Sequence, residues 1–321
     1  MRLRLCALAL FLLGAVVSSA AAQDYPSKPV RVIAASGPGG ISDIFMRALG
    51  EELHKRWGQP VILENRPGGA MNIGARACAE AEPDGHTLCI MAAVPLTYNL
   101  YLFKKLPVDV EKAIVPVTNL FFLTQTLAVN SDLKVKSVAE LVALAKSKPK
   151  TLSYSASASP LVLYMENLNK ENGIDLVKVP FKGGGDAVNG VLTGITPITF
   201  LGFGNMLGHL SAGRITPLLM DSSRRSSLFP DVPTVMETGY KGPMTQSYFG
   251  LYAPAGVPKA RLEKIAADVR EIASQPHFRE VNFTQRGLEP VLNTPDEFDA
   301  FLKQDRVNAK RVVEESGLTP Q

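Results

Sequence analysis

The sequence predicts an α/β protein built as two lobes. Runs rich in β-branched residues alternate with amphipathic helical segments, which is typical of largely parallel sheets covered by helices. The 299 residues that follow an N-terminal leader are many for a single core. The strand predicted at Thr126–Val129 has no helix directly before it, and Phe249–Ala253 is predicted as a return strand. We therefore expect a first lobe of residues 23–126 and 250–321 and a second lobe of residues 127–249, wired as a hinged clamshell.

Residues 1–22 have the pattern of a cleavable secretory signal. Two arginines precede an apolar run over Leu5–Val17, and five small residues follow it. The run is shorter than the roughly 20 apolar residues that cross a bilayer, which argues against a permanent membrane anchor. Cys6 lies inside the run and not at the cleavage point, so a lipoprotein is not expected. We expect a soluble periplasmic protein that begins after Ala22.

Composition argues against several classes of function. Without the leader, 32 basic and 30 acidic residues remain, scattered along the chain, whereas nucleic-acid binding favours a concentrated basic face. The four histidines do not fall at metal-ligand spacings, and no GxSxG nucleophile motif is present. We expect no metal, no cofactor, no nucleic-acid partner and no enzymatic activity; a secreted hydrolase is the less favoured alternative.

Two cysteines, Cys78 and Cys89, remain after the leader. They flank a predicted helix end and turn, so they could pair in an oxidising compartment. Two buried free thiols are an equally ordinary outcome. The sequence leaves both alternatives open, because a disulfide requires close Cα positions that spacing does not guarantee.

A glycine-rich loop, Ser36–Asp43, joins the first predicted strand to the first helix. Its glycines allow the backbone to approach a ligand closely, and the following helix presents unpaired N–H groups. Ser42 could donate a hydrogen bond to a carboxylate, whereas Asp43 would repel one and is expected to cap the helix. The spacing matches neither a dinucleotide-binding fingerprint nor a P-loop. By itself the loop is also compatible with a plain strand–helix turn.

A series of motifs resembles the substrate-binding proteins of tripartite tricarboxylate transporters, the Bug family. The matching blocks follow one another in order over nearly the whole chain after the leader: Tyr25–Arg31, Gly39–Asp43, Gly58–Gly68, Asn72–Ala75, Pro83–Leu88, Leu106–Asp109, Lys136–Leu141, Val179–Gly183, Pro230–Thr234 and Phe249–Gly256. The resemblance implies a periplasmic type II binding-protein fold with a small organic carboxylate held between the lobes. It also implies membrane transporter subunits as possible partners. We expect a monomer.

The resemblance implies particular binding residues in both lobes. Hydroxyls and backbone N–H groups in such loops suit carboxylate recognition without a buried counter-charge. In the second lobe, the serine-rich loop Ser155–Ser159 could instead be a solvated turn, and Lys182 could be an ordinary exposed lysine. The candidate ligand-binding residues are Ser36, Gly39, Gly40, Ile41 and Ser42 in the first lobe, and Ser155, Ser157, Ser159, Lys182, Phe203 and Asn205 in the second.

The sequence also departs from the family pattern. The serine-rich loop of the second lobe is shorter than is usual in the family. In the family an Asp-Asn pair commonly follows the strand predicted here at Ile198–Leu201, but this sequence has Gly202–Asn205 there. Losing that acid removes an acceptor for an amino or hydroxyl group, and Phe203 offers an apolar or stacking surface instead. The loop Ala93–Thr97 is also rather apolar. These departures favour an aromatic or aliphatic carboxylate. A ligand sensor that reports to a membrane signalling protein is an alternative to uptake, because both use ligand-driven closure.

Overall fold

The computed structural model describes residues 25–156, 159–181, 184–222, 225–226, 228–239, 247–316 and 320. The predicted signal peptide, residues 1–22, lies outside them. The strands are β1 (Val30–Ala34), β2 (Val61–Asn65), β3 (Thr87–Ala92), β4 (Ile114–Leu123), β5 (Gln125–Asn130), β6 (Ser153–Ala156), β7 (Val177–Lys178), β8 (Ile198–Gly202), β9 (Ile215–Asp221), β10 (Ser247–Pro254) and β11 (Leu288–Pro290). The helices are α1 (Ile41–Trp57), α2 (Asn72–Ala79), α3 (Asn99–Leu102), α4 (Val110–Ala113), α5 (Val138–Ser147), α6 (Ser159–Asn172), α7 (Gly184–Leu192), α8 (Leu207–Ser211), α9 (Lys259–Ser274), α10 (Pro276–Asn282) and α11 (Pro295–Ser316).

The strands form two sheets, one in each lobe. The first sheet has the order β11-β4-β10-β3-β1-β2 and the second the order β7-β6-β8-β5-β9. Parallel pairs join β1 to β2 and β3, and β6 to β7 and β8, whereas β10 and β5 pair antiparallel with both of their neighbours. The predicted two-lobed α/β class is therefore confirmed. Each sheet also contains one antiparallel crossing strand, β10 in the first sheet and β5 in the second.

Helices cover both faces of the first sheet. Alternate residues of β1 point to opposite faces: Val32 packs in a core with α1 and α9, and Ile33 packs in a core with α2 and α11. Burial on both faces explains why this strand reads as an almost continuous apolar run. The second sheet likewise separates two apolar clusters, one of which contains Leu127 and the other Ala128.

The chain passes from the first sheet to the second through a single residue, Thr124. Gln125 and Thr126, assigned above to the first lobe, already pair in the second sheet with β8 and β9. The segment Ser247–Phe249, assigned above to the second lobe, already pairs in the first sheet with β4. The change of sheet is unmarked in the sequence, because extended apolar structure continues on both sides of Thr124.

Cys78 and Cys89 form a disulfide that joins α2 to β3. Their Cα atoms are 6.0 Å apart and both side chains are fully buried. Of the two alternatives left open by the sequence, pairing is the one found. The bridge ties a covering helix to an inner strand of the first sheet.

Candidate functional site

A cavity of about 650 Å³ lies between the two lobes. The carboxyl ends of β1, β2 and β3 point into it, so the segments that follow these strands form the first-lobe wall. The ends of β6 and β8, Phe181, the first turns of α7 and Asn205 form the second-lobe wall, and the crossing strands β5 and β10 close the hinge end. Ligands of open α/β sheets bind outside the carboxyl ends of parallel strands, which makes this cleft the candidate site.

The predicted glycine-rich loop supplies the polar part of the first-lobe wall. Ser36 and Ser42 line the cavity with their hydroxyl oxygens 2.6 Å apart, and Ile41 lines it beside them. Helix α1 begins at Ile41, and its N-cap residue Gly40 provides no side-chain cap. The first N–H groups of α1 therefore remain available to an anion, in the positive field of the helix terminus.

Gly39 and Gly40, which were also expected to bind ligand, shape this loop without lining the cavity. Gly39 has a φ of +76°, in the left-handed region that favours glycine. Gly40 is in ordinary extended conformation, and a Cβ added there would meet only the Gly37 carbonyl oxygen at 3.7 Å. Their contribution is to the path of the backbone.

Asp43 holds the loop from behind. Its carboxylate accepts hydrogen bonds from the Gly39 N–H (3.1 Å), from the Arg47 guanidinium (3.1 and 3.0 Å) and from Asn65 Nδ2 (3.0 Å). Burial alone would raise the pKa of Asp43, but the hydrogen bonds from Arg47, Gly39 and Asn65 outweigh it and lower the pKa. Asn65 also donates to the Ser36 carbonyl at 3.0 Å. Asp43 was expected to cap α1; instead its ionised carboxylate fixes Gly39 in the loop before the helix.

A second first-lobe loop, Pro67–Met71, also lines the cavity. Gly68, Gly69, Ala70 and Met71 all have positive φ, at 117°, 55°, 52° and 70°. For Ala70 and Met71 this backbone conformation costs about 1 kcal/mol or more each. Asn99 Nδ2 donates to the Ala70 carbonyl at 2.9 Å and so supports the loop. The signal in the sequence is Pro67-Gly68-Gly69, which is separated from the end of β2 by one residue.

The second-lobe wall contains the serine at the end of β6. Ser155 lines the cavity and donates a hydrogen bond to Thr199 Oγ1 at 2.9 Å. Of the other candidates here, Ser157 and Lys182 lie outside the described residues. Ser159 begins α6 rather than continuing a loop, and its side chain is not described.

Asn205 and Phe203 lie close together but do different things. Asn205 lines the cavity, and its Nδ2 donates to the Gly202 carbonyl at 3.2 Å. Phe203 was expected to offer a surface to the ligand, but it does not line the cavity: its ring is 1% exposed and packs edge-on against Phe229 at 5.5 Å between centroids. The ring also lies over Gly287 of the first lobe, where an added Cβ would meet it at 2.5 Å. Phe203 therefore belongs to a contact between the lobes.

The hinge end of the cavity was not anticipated from the sequence. Gln125, Tyr248 and Phe249 line it, all on the crossing strands. The Tyr248 hydroxyl donates to Asp305 Oδ2 at 3.0 Å, and burial raises the pKa of Asp305 to about 6. No local motif marks these residues, because they reach the cavity only through the pairing of strands from opposite halves of the chain.

None of the described residues that line the cavity is charged. Alanine, valine, leucine and aromatic side chains supply most of the lining, with a few hydroxyl and amide groups among them. The only acid described in the glycine-rich loop, Asp43, is neutralised by Arg47. Such a site can hold an anion by hydroxyls, backbone N–H groups and a helix terminus, and can hold an apolar body by burial.

Two lobes, each built on one sheet and joined by crossing strands around a cleft, are the architecture of two-lobed solute-binding proteins. The sequence model of one protein family, described as "Tripartite tricarboxylate transporter family receptor", matches residues 45–318. The chain therefore belongs to this family of periplasmic solute-binding receptors. A relative from Bordetella bronchiseptica, described only as a UPF0065 protein, is 32% identical over 313 residues, covering 98% of this chain and 93% of the relative.

Solved structures of similar proteins include two that hold carboxylates. R. palustris Rpa4515 with adipate superposes with a TM-score of 0.85 and 25% identity, covering 92% of this chain and all of that one. MatC from Rhodopseudomonas palustris with bound malate superposes with a TM-score of 0.82 and 26% identity, covering 90% of this chain and all of that one. Among the described residues, no helix is both long and apolar enough to cross a membrane.

Proposed function

We propose that this receptor captures a small organic carboxylate in the cleft between its lobes and presents it to the membrane subunits of a tripartite tricarboxylate-type transporter. One observation carries the proposal: the cavity joins an uncharged, largely apolar lining to a loop where Ser36, Ser42 and the uncapped start of α1 converge. These groups donate hydrogen bonds, so they favour a carboxylate over a neutral amide.

The first-lobe loop is the proposed carboxylate site, where the Ser36 and Ser42 hydroxyls, bonded to each other at 2.6 Å, keep one hydroxyl hydrogen to donate to the ligand. Gly39 and Gly40 keep a role in shaping the backbone. Ser155 and Asn205 are the proposed contacts from the second lobe, and Ser157, Ser159 and Lys182 stay candidates from the sequence. The apolar lining supports an aliphatic or aromatic body on the ligand rather than a tricarboxylate.

Calorimetry with matched acids and amides tests this function. Hexanoate, phenylpropanoate, adipate and malate should include at least one ligand that binds the wild-type protein, and its amide should bind at least tenfold more weakly. Equal binding of acid and amide would contradict carboxylate recognition. Binding of citrate alone would contradict the apolar character proposed for the ligand.

Delivery to a transporter and export are tested separately. Labelled carboxylate should enter proteoliposomes that contain the two membrane subunits only when the receptor is present, whereas receptor-independent uptake would contradict delivery. For export, N-terminal sequencing of the periplasmic protein should begin at Gln23. Sedimentation should give a monomer, which is likewise part of the proposal.

A further inference from the structure

Gln125 carries a buried hydrogen-bond acceptor at the hinge end of the cavity. It is the first residue of β5, directly after the crossing at Thr124, and it lines the cavity while being 2% exposed. Its Oε1 atom is buried and has no hydrogen-bond partner among the described residues. Buried polar atoms normally have a partner, so this one invites an explanation.

Strand register places an acid beside this amide. Gln125 lies opposite Gly202 of β8 on one side and opposite Asp221 of β9 on the other. Side chains of directly opposed residues are neighbours on the same face of a sheet. Gly202 brings no side chain to this row, and Asp221 brings a carboxyl group that is partly buried. Neither neighbour satisfies Gln125 Oε1, which has no partner among the described residues, and Asp221 does not line the cavity.

The two ends of the cavity thus differ in hydrogen-bonding character. The first-lobe end presents donors, namely the Ser36 and Ser42 hydroxyls and the first N–H groups of α1. The hinge end presents the unpaired Gln125 Oε1 atom, with the Ser247 hydroxyl also in the lining. A second carboxylate would leave Gln125 Oε1 without a donor, whereas a hydroxyl or amino group would supply the missing donor.

We propose that Gln125 determines ligand specificity by accepting a hydrogen bond from a hydroxyl or amino group of the bound carboxylate. The ligand class is then a carboxylate with an apolar body and a donor group at its other end. This inference rests on the proposed function and narrows it. It also supplies, in a neighbouring strand, the acceptor that the sequence lacks after β8.

Paired ligands test the role of Gln125. The probes are hexanoate with its terminal hydroxy and amino derivatives, phenylpropanoate with its para-hydroxy derivative, and adipate. In calorimetry, the wild-type protein should bind a donor-bearing member about tenfold more tightly than its parent acid and more tightly than adipate. The hydroxy and amino derivatives distinguish the two kinds of donor.

The variant Gln125→Leu should reduce the difference in affinity between the members of a pair to less than twofold. Gln285→Leu, at an exposed glutamine, is the matched control and should keep the tenfold preference. Gln125→Met, which preserves side-chain length, replaces the leucine variant if circular dichroism shows that the latter does not fold.

Two results would overturn the inference in different ways. If wild-type protein binds donor-bearing and parent acids equally, or if Gln125→Leu keeps the preference, Gln125 has no such role and carboxylate binding stands. If none of these acids binds, the proposed function fails and the inference fails with it.

Discussion

The two walls of the cleft are built differently. Behind the first-lobe wall, an ionised network of Asp43, Arg47 and Asn65 fixes the glycine-rich loop. The described part of the second-lobe wall is held by neutral contacts, such as Ser155 with Thr199. Preorganised donors bind an anion with less reorganisation than mobile ones. We therefore expect the first lobe to supply most of the affinity for the carboxylate, and the second lobe to add closure and shape.

The largest effect should come from removing the support of the first wall. Asp43→Ala removes the acceptor for the Gly39 N–H, Arg47 and Asn65, so the Ser36–Ser42 loop loses its fixed geometry. Carboxylate affinity measured by calorimetry should fall about 100-fold, and the free energy of unfolding should fall by about 2 kcal/mol. Asp132→Ala, at an exposed acid, is the control. Unchanged affinity in Asp43→Ala would show that the two walls do not differ in this way.

The second-largest effect should come from disturbing the contact between the lobes. A Cβ at Gly204 would meet the Arg286 carbonyl oxygen of the first lobe at 2.5 Å. Gly204→Ala should therefore hold the lobes apart and weaken carboxylate binding about tenfold without touching the ligand. The control Gly208→Ala lies four residues further on, where a Cβ meets nothing within 4 Å. Small-angle scattering with ligand should give a more open Gly204→Ala protein; closure like that of wild type would contradict the steric argument.

A smaller effect is expected on the second wall itself. Ser155→Ala breaks the hydrogen bond to Thr199 and leaves that buried hydroxyl with a weaker set of partners. Thermal unfolding should show a loss of about 1 kcal/mol, and carboxylate affinity should fall only a few-fold. Ser153→Ala, two residues earlier on β6, is the control. A 100-fold loss of affinity in Ser155→Ala would place the main carboxylate contact in the second lobe.

The pH dependence of stability gives the mildest test, at the hinge edge of the second wall. Burial raises the pKa of Asp221 from its ordinary value of 3.8 to about 7. The folded protein therefore keeps a proton that the unfolded chain releases between these values, so the free energy of unfolding falls as pH rises from 4 to 7. The contribution is at most about 1.4 kcal/mol per pH unit. Asp221→Asn should lack it, so wild type should lose stability relative to the variant over this range; parallel curves would contradict the shift.

The sequence predicted most of the fold because apolar periodicity and turn residues mark most elements directly. The sequence predicts helices over Lys259–Ser274 and Pro295–Ser316, which are the bounds of α9 and α11. A Ser-x-x-Glu capping box predicts the start of α5, where the Ser137 hydroxyl accepts the Glu140 N–H at 3.1 Å. Strand β4 was missed because Pro116 and a Thr-Asn pair interrupt its apolar run. The start of α6 was missed because serines before Pro160 read as a loop, although proline favours a first helical turn.

The site was predictable only where one segment makes it. Ser36, Ile41 and Ser42 belong to one strand–helix loop, and all three reach the cavity. The contributions of Gln125 and Tyr248 depend on which strands pair across the hinge, and the burial of Phe203 depends on Gly287 of the other lobe. Such long-range packing has no local signature in a single sequence.

A crystal structure of the complex with the tightest-binding carboxylate tests the central claim most directly. We expect the carboxylate within hydrogen-bonding distance of the Ser36 and Ser42 hydroxyls and of the first N–H groups of α1, with the apolar body directed toward the hinge. A carboxylate bound at the hinge end beside Gln125, or held only by second-lobe residues, would contradict the account.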